Sequence, residues 1–368
     1  MEEDVVFAGF DTLQMFMKEC LMAAGVPADD AETVSDVLIE ADKFGIDSHG
    51  INRLKPIYID RIRDGILNPV TKIDVVKDTF TTAVLDANNG MGHVVSKAAM
   101  KMAIEKARVY GMGMVAVRNS SHYGIAGYYG MMAAAENMIG ITGTNARPSI
   151  APTFGIDNML GTNPLTFVVP SDEDFPFFLD CATSVSQRGK IEFYAKNGKQ
   201  LPKGWVIDRS GESKTDPAEV LTDLTKGNAA LTPLGGIGEE TGGYKGYGYA
   251  TVVEILSAAL QGGVFMNALT GFDNGKKVPY RLGHFFIAIN IGHFTEVSEF
   301  KSTTGNILRE LRNSAKMPGA ERIYTAGEKE YIHLQERSLS GVPLNKAMRM
   351  EIRALAEMFK LSGYEHLY

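Results

Sequence analysis

Tyr110-Gly111-Met112-Gly113-Met114-Val115-Ala116 is the stretch whose reading decides the fold. As a string, Gly111-x-Gly113-x-x-Ala116 matches the glycine fingerprint of dinucleotide-binding βαβ units. That fingerprint needs a strand before it and a helix after it. The neighbouring pattern runs the other way. Val94 to Tyr110 carries apolar residues at helical spacing, and Met114 to Val117 is a short apolar run that reads as a strand. The glycines therefore end a helix, and a doubly wound parallel sheet is set aside.

Outward from this point the middle of the chain is rich in strands. Lys72 to Lys77 alternates, with Ile73 and Val75 on one face, and Phe80 to Asp86 is a second candidate. The strand Met114 to Val117 ends in the polar loop Arg118-Asn119-Ser120-Ser121-His122-Tyr123-Gly124. A helix from Tyr128 to Asn137 and a strand from Ile139 to Thr144 follow. Leu165 to Val169 and Phe175 to Leu179 read as strands, the second leading into Asp180-Cys181-Ala182-Thr183-Ser184. Arg188 to Lys196 reads as a helix. Gly235 to Gly248 holds seven glycines and Lys245, so the backbone there approaches something closely. Val252, Ile255, Leu256, Ala259 and Leu260 make a helical stripe, and His284 to Asn290 reads as a buried strand.

Both ends are helical. Leu13, Phe16, Met17, Cys20 and Ala24 fall at helical spacing, with Asp11 as cap and Gly25 as stop. Val34, Val37, Leu38 and Ala41 repeat the pattern, and a third helix covers Leu54 to Arg63 and stops at Gly65. Val297 to Arg312 and Leu344 to Leu361 close the chain. The expectation is an α/β (α+β) protein in two parts. Residues 1–75 with 305–368 form a helical domain, and 76–304 form a central α/β domain.

Composition narrows the function classes. A chain of 368 residues, 45 % hydrophobic and 22 % charged, builds its core without staples. Two cysteines, Cys20 and Cys181, argue against a disulfide framework. A net charge of −7 with no basic stripe makes nucleic acid an unexpected partner. Met1-Glu2-Glu3-Asp4 is acidic and no long apolar run follows, unlike a secretory signal. The best apolar window, Val252 to Leu269, is interrupted by Glu254 and Gln261, so no membrane span is expected. A cytoplasmic, soluble protein is the expectation.

The chemistry concentrates at Asp47-Ser48-His49-Gly50, followed by Arg53 and Tyr58, in the joint between two helices. A neutral imidazole at His49 can take or give a proton near pH 7. The fork of Arg53 can hold a carboxylate at two points. His122, in a loop at a strand end, offers a second acid/base group. Each histidine could instead be structural, capping a helix or satisfied within its loop. Backbone N–H groups and hydroxyls at Asp180 to Ser184 could hold phosphate or ribose oxygens, or form a plain turn. Gly242-Gly243-Tyr244-Lys245-Gly246 leads into a helix, where a cation with bare backbone suits a pyrophosphate. No Walker loop and no paired metal-ligand motif appears. A zinc site gathered from His49, His122 and Asp180 is the competing reading, as a metal-dependent hydrolase or lyase.

Five motifs then occur in order: Asp47-Ser48-His49-Gly50-x-x-Arg53-Leu54-x-x-x-Tyr58, Asn119-Ser120-Ser121-His122-Tyr123-Gly124, Gly161-Thr162-Asn163-Pro164, Asp180-x-Ala182-Thr183-Ser184 and Gly242-Gly243-Tyr244-Lys245-Gly246. With them the chain, from about Leu13 to about Leu361, resembles the malate/L-lactate dehydrogenase family that also holds ureidoglycolate, sulfolactate and diketogulonate oxidoreductases. The resemblance implies a non-Rossmann fold with a mostly antiparallel central sheet. It also implies a homodimer with a nicotinamide cofactor, NAD or NADP, near the subunit interface. The reaction implied is hydride transfer between that cofactor and a small 2-oxo or 2-hydroxy acid, malate/oxaloacetate or lactate-like. By motif match His49 or His122 resembles the acid/base residue, with Asp47 or Asp180 orienting an imidazole. Ser48 and Arg53 match substrate contacts. Ser121, Asn145, Thr162, Asn163, Asp180, Cys181, Ala182, Thr183, Lys245, Gly246, Gly327 and Glu328 match cofactor contacts. Ala326 stands where relatives carry Pro before Gly-Glu, and Asn290 where they often carry Asp. A member that keeps the dimer but has lost catalysis is a further alternative.

Overall fold

The computed structural model describes residues 5–368; the acidic start, Met1 to Asp4, lies outside them. The chain opens with strand β1 (Val6–Ala8) and helices α1 (Phe10–Ala23) and α2 (Ala28–Lys43). α1 starts on Gly9; Asp11, expected as its cap, lies in the first turn, where a carboxylate suits the positive helix end. After the joint come a 3-10 turn (Ile51–Arg53), a widened π-type stretch (Leu54–Ile59) and α3 (Asp60–Arg63). The single helix expected from Leu54 is therefore irregular. Pro56, which has no N–H to give, sits within the widened part.

Strands β2 (Asp74–Asp78) and β3 (Thr82–Asp86), helix α4 (Gly92–Tyr110) and strand β4 (Met112–Ser120) follow. Gly111 caps α4 with φ of +84°. A Cβ at Gly113 would stand 2.2 Å from the Ala103 carbonyl, so the second glycine lets β4 lie against α4. Both glycines serve the helix end and its packing, as their order in the sequence implies. Next come α5 (Gly127–Ala135), β5 (Met138–Thr144), β6 (Leu165–Val169) and β7 (Phe177–Cys181). A small module holds α6 (Arg188–Lys196), β8 (Val206–Asp208), α7 (Pro217–Lys226) and β9 (Ala229–Leu231). The chain closes with α8 (Gly243–Ala258), the hairpin β10 (Phe272–Asp273) and β11 (Lys276–Lys277), and β12 (Leu282–Asn290). α9 (Val297–Asn313), α10 (Glu328–Ser340), β13 (Val342–Leu344) and α11 (Lys346–Phe359) complete it.

The central sheet has seven strands in the order β2-β3-β4-β12-β5-β6-β7. Only β3 and β4 run parallel; every other pair is antiparallel. α4 and α5 cover one face through Ala99, Ala103, Val115, Val117, Tyr129 and Phe286. α8 lies against the other, its Ser257 carbonyl where a Cβ at Gly283 would be. The two chain ends share a separate core: Leu13, Phe16, Leu38, Leu54 and Tyr58 pack with Leu344, Ile352 and Leu355.

Register decides where function can sit. Ser120 at the end of β4 pairs with Leu282 at the start of β12, and Thr144 at the end of β5 pairs with His284. Leu165, starting β6, pairs with Gly143 and with Cys181 at the end of β7. Five strands thus place the segments beginning at Ser121, Asn145 and Ala182, and those ending at Pro164 and Arg281, at one end of the sheet. Asn290 lies at the opposite end, where its side chain accepts from the Gly292 N–H.

Candidate active site

The helix-to-helix joint is held from beneath by a buried carboxylate. Asp42, on α2, accepts the Ile51 N–H at 2.9 Å and so caps the turn that carries Arg53. Gly50 lies directly on it: a Cβ there would stand 1.8 Å from Asp42 Oδ1, so any larger residue would push the Asp42 side chain off the turn it caps. From outside, Arg337 of α10 donates to the Asp42 carbonyl and to both oxygens of Asp47, the latter at 2.6 and 3.1 Å. Burial pushes the Asp42 carboxyl up to about 8, against the pull of the Ile51 N–H. The folded chain therefore keeps a proton that the unfolded chain gives up near the ordinary value of 3.8. This contribution to stability is whole below that value and is lost as pH rises to about 8. Asp42→Asn keeps an acceptor and cannot ionise. Its melting temperature relative to the parent is expected to rise between pH 5 and 8 and level off above; a difference independent of pH would contradict this reading of Asp42.

Held this way, the joint turns Ser48 and His49 inward. The Ser48 hydroxyl lies 2.7 Å from His49 Nδ1. Arg53 Nε donates to the Ser48 carbonyl, and among the described residues its two terminal nitrogens meet no carboxylate partner.

His122 reaches the same place from the sheet. Its loop is fixed by His284, which sits between the Thr144 and Ser120 hydroxyls at 2.7 and 2.8 Å and carries Tyr123 stacked on its ring at 4.5 Å. His122 Nδ1 lies 2.6 Å from the Tyr58 hydroxyl and receives the Gly124 N–H at 3.3 Å. A backbone N–H can only donate, so Nδ1 is an acceptor and neutral His122 carries its proton on Nε2. The rings of His49 and His122 stack, their centroids 5.6 Å apart and their planes 18° from parallel. His93 packs edge-on against Tyr58 at 4.8 Å behind them.

Burial and then the Arg53 charge lower His49 to about 4. Burial, with the charges of His49, Arg61, His93 and Arg53, holds His122 well below its ordinary value. Both rings are neutral near pH 7 in the free protein. They differ in what a second proton would do. At His49 the facing group is a hydroxyl, which can turn from donor to acceptor. At His122 the Tyr58 hydroxyl can turn likewise, but the Gly124 N–H on the same nitrogen cannot, and it opposes a second proton.

Several residues matched to cofactor contacts meet at the same end of the sheet. Thr183 N–H donates to the Thr162 carbonyl at 2.9 Å, and its hydroxyl to the Asn163 carbonyl at 2.9 Å. Leu234 N–H then donates to the Thr183 carbonyl, and Gly246 packs on Leu234, whose carbonyl would be 2.1 Å from a Cβ. Asn145 accepts the Gly283 N–H at 2.8 Å. Glu254, nearly fully buried, joins these loops to α8 by accepting from Asn163 at 2.8 Å and from the Met266 N–H at 3.0 Å. Lys245 lies exposed in the first turn of α8, its ammonium 5.7 Å from the Tyr244 ring centre and in no ion pair among the described residues. A bare helix start with an unpaired cation fits the diphosphate of a dinucleotide.

Other expected residues are placed differently. Asp47 is engaged by Arg337. Asp180, expected after a strand, is on β7 itself, and its carboxylate accepts from the Gly127 N–H at 2.7 Å and the Thr166 hydroxyl at 3.0 Å. Neither carboxylate hydrogen-bonds an imidazole; Ser48 and Tyr58 do that instead. The zinc site from His49, His122 and Asp180 does not assemble either. Among the described residues no group of three or more His, Cys, Asp or Glu side chains is placed to hold a metal. Cys181 ends β7 and Ala182 follows it. The Ser121 hydroxyl is committed to the Gly92 N–H and the Gly90 carbonyl, each at 2.9 Å. Gly327 (φ of +96°) and Glu328 begin α10 beside β7, where Phe178 N–H donates to the Ala326 carbonyl. Glu328 pairs with Arg322 and accepts the Thr325 N–H. The roles of Asp42, Tyr58, His93, Arg337 and Glu254 were missed. Only Tyr58 carried a signal, its place in the first motif.

An imidazole able to take a proton, a guanidinium open to a carboxylate and an anion-binding helix start define an enzyme site for a small carboxylate and a phosphate-bearing cofactor. The sequence profile described as malate/L-lactate dehydrogenase matches residues 9–353. A malate dehydrogenase of Pyrococcus abyssi is 43 % identical over 99 % of this chain and 98 % of its own. An L-sulfolactate dehydrogenase of Methanocaldococcus jannaschii is 37 % identical over 95 % and 96 %. The crystal structure of malate dehydrogenase from Entamoeba histolytica superposes with a TM-score of 0.94 at 47 % identity, covering 97 % of this chain and 99 % of that one. The chain belongs to the malate/L-lactate dehydrogenase family. It is a 2-hydroxy acid dehydrogenase that works with a nicotinamide cofactor, and the hydrolase or lyase reading finds no support.

Proposed function

We propose that this chain interconverts malate and oxaloacetate with NAD(H) or NADP(H), with His49 as the proton-transfer residue and Arg53 as the holder of the C1 carboxylate. The observation that carries this is the unequal surroundings of the two rings: His49 Nδ1 faces the Ser48 hydroxyl, whereas His122 Nδ1 faces the Tyr58 hydroxyl and also receives the Gly124 N–H, which opposes a second proton there. The bound nicotinamide would supply or take the hydride at the substrate's C2. Asn145, Thr162, Asn163, Ala182, Thr183, Lys245 and Gly246 would hold it, with Ser121, Asp180, Cys181, Gly327 and Glu328 shaping its surroundings. In reduction, Arg53 grips the carboxylate at two points, Ser48 holds the His49 ring, and His49 gives its proton to the developing alkoxide. Neutral His122, its proton on Nε2, donates a hydrogen bond to the same oxygen and polarises it. In oxidation, neutral His49 takes the hydroxyl proton.

The pH dependence follows. Free His49 lies near 4 because it is buried beside Arg53. A carboxylate on Arg53 cancels that charge and favours the imidazolium, so 2-oxo acid binding draws in a proton. The Michaelis constant for oxaloacetate is expected to rise toward about tenfold per pH unit between pH 6 and 8, while NADH affinity stays level. Stopped assays across that range check it; a flat constant would remove the linked proton.

The relatives named malate dehydrogenase support the choice of substrate. A panel of 2-oxo acids run with NADH and NADPH, following loss of absorbance, tests substrate and cofactor together. Turnover of oxaloacetate is expected, and no turnover of any 2-oxo acid would defeat the reading.

A homodimer is part of the proposal. Along α8 and its cap, Gly248, Val252, Ile255 and Ala259 form an exposed uncharged stripe, and Tyr249, Leu260 and Phe265 are exposed as well. Apolar patches of this kind mark subunit contacts. Light scattering is expected to give twice the chain mass. The division into 1–75 with 305–368 and 76–304 is kept as a proposal, supported by the core that the chain ends share. So is a cytoplasmic location without membrane or nucleic-acid partners. No helix among the described residues is long and apolar enough to cross a membrane.

A further inference from the structure

Arg61 is a cation that the mechanism above does not use. It follows Tyr58 by three residues in the same helical run, which brings it to the side of that run that faces His122. Its guanidinium lies 4.1 Å from the ring centre of Tyr280, in the segment that leads into β12. Arg147 leaves the sheet two residues after Asn145, at the same end. These groups lie close enough to act on one another. Arg61 is lowered first by burial, then by the charges of Arg147 and Arg53, while Tyr280 and Tyr58 pull the other way. The Arg61 charge also acts on His122.

Among the described residues, Arg53, Arg61 and Arg147 have no carboxylate in ion-pair contact. Acidic neighbours are engaged elsewhere: Asp60 pairs with Lys55 at 2.9 Å, and Asp64 with Lys277 at 2.7 Å. Glu351 feels the Arg53 charge without pairing with it. Guanidiniums of like charge repel one another, those of Arg53 and Arg61 being partly buried, and stacking on a phenol leaves the N–H edge of Arg61 open. One carboxylate on Arg53 answers only part of that charge.

We propose that Arg61 is the residue that reads a second anionic group on the substrate, with Arg147 assisting, so that the site selects 2-oxo acids ending in a carboxylate over those ending in an alkyl group. The inference rests on the dehydrogenase reading above and adds a determinant to it. Charge and fork both matter. A lysine keeps the charge and loses the two-point grip; a methionine loses both and leaves the dianion's second charge unpaired.

The test compares kcat/KM for oxaloacetate and for 2-oxobutyrate, which has a neutral end of similar length, in the parent, Arg61→Lys and Arg61→Met. The parent is expected to favour oxaloacetate. Arg61→Met is expected to lose about 10²-fold or more on oxaloacetate and no more than about threefold on 2-oxobutyrate, with Arg61→Lys between. Equal losses on both substrates overturn the proposal and make Arg61 structural. A parent that reduces both equally well also overturns it while leaving the dehydrogenase reading intact; a parent that reduces neither defeats both. Should the Arg61 variants fail to fold, Arg147→Met at an exposed position carries the test. A fall in the oxaloacetate to 2-oxobutyrate ratio supports the proposal and an unchanged ratio overturns it.

Discussion

His49→Ala is expected to lower turnover of oxaloacetate by about 10²–10⁴-fold, the usual worth of a positioned general acid, while NADH still quenches with parental affinity. The size follows from what the ring does: without it the alkoxide must be protonated by water in a buried site. The second readout separates chemistry from folding. His49 hydrogen-bonds Ser48 and stacks on His122, but neither contact belongs to the loops around Lys245 and Thr183. If turnover stays within about tenfold of the parent, His49 is not the acid and His122 takes the role. The joint itself rests on Asp42, Gly50 and Arg337, so the alanine chain should keep its conformation.

Arg53→Ala is expected to lower kcat/KM for 2-oxo acids by about 10²–10³-fold, as loss of one partner in a desolvated charge pair does. Both parameters should change, because Arg53 binds the carboxylate and also holds the Ser48 carbonyl that steadies His49. Arg53→Lys is expected to recover only part, since a point charge cannot make the two-point contact. Two effects distinguish the substrate role from a purely structural one. The alanine variant should lose its discrimination between a 2-oxo acid and the corresponding ketone without a carboxylate. It should also raise the His49 pKa, because the neighbouring positive charge is gone. A variant that slows both ketones equally would remove Arg53 from the substrate site.

The fold was legible wherever one residue decided a local boundary. Gly111 could only end a helix given the pattern around it, and Arg188–Lys196 was read with the bounds it has. The strand β7 was read two residues early, ending at Leu179, because Asp180 and Cys181 look like a turn in a string. Their pairing with Thr166 and Leu165 is a long-range fact that local pattern cannot carry. α10 escaped notice because its sequence is largely polar and Glu328 is its only buried residue. The widening at Leu54–Ile59 reflects tertiary packing of Leu54 and Tyr58 into the core of the chain ends, again beyond local reach.

The site divides along the same line. His49, Arg53 and His122 were visible because polar groups crowd into loops at element ends. Asp42 and Glu254 were not, because a carboxylate inside an amphipathic helix reads as its solvent face until the packing shows it buried. That Tyr58 meets His122, across 64 positions of sequence, is contained in the topology alone. So is the choice between the two imidazoles, which depends on which partner faces each ring.

A crystal structure of the protein with reduced cofactor and oxalate, a planar mimic of the reacting 2-oxo acid, tests the central claim most directly. The expected result is one oxalate carboxylate on the terminal nitrogens of Arg53 and an oxygen of the other within about 2.6–3.2 Å of His49, with the nicotinamide ring alongside. Oxalate bound away from Arg53, or a nicotinamide that cannot approach the His49 and His122 pair, would contradict it.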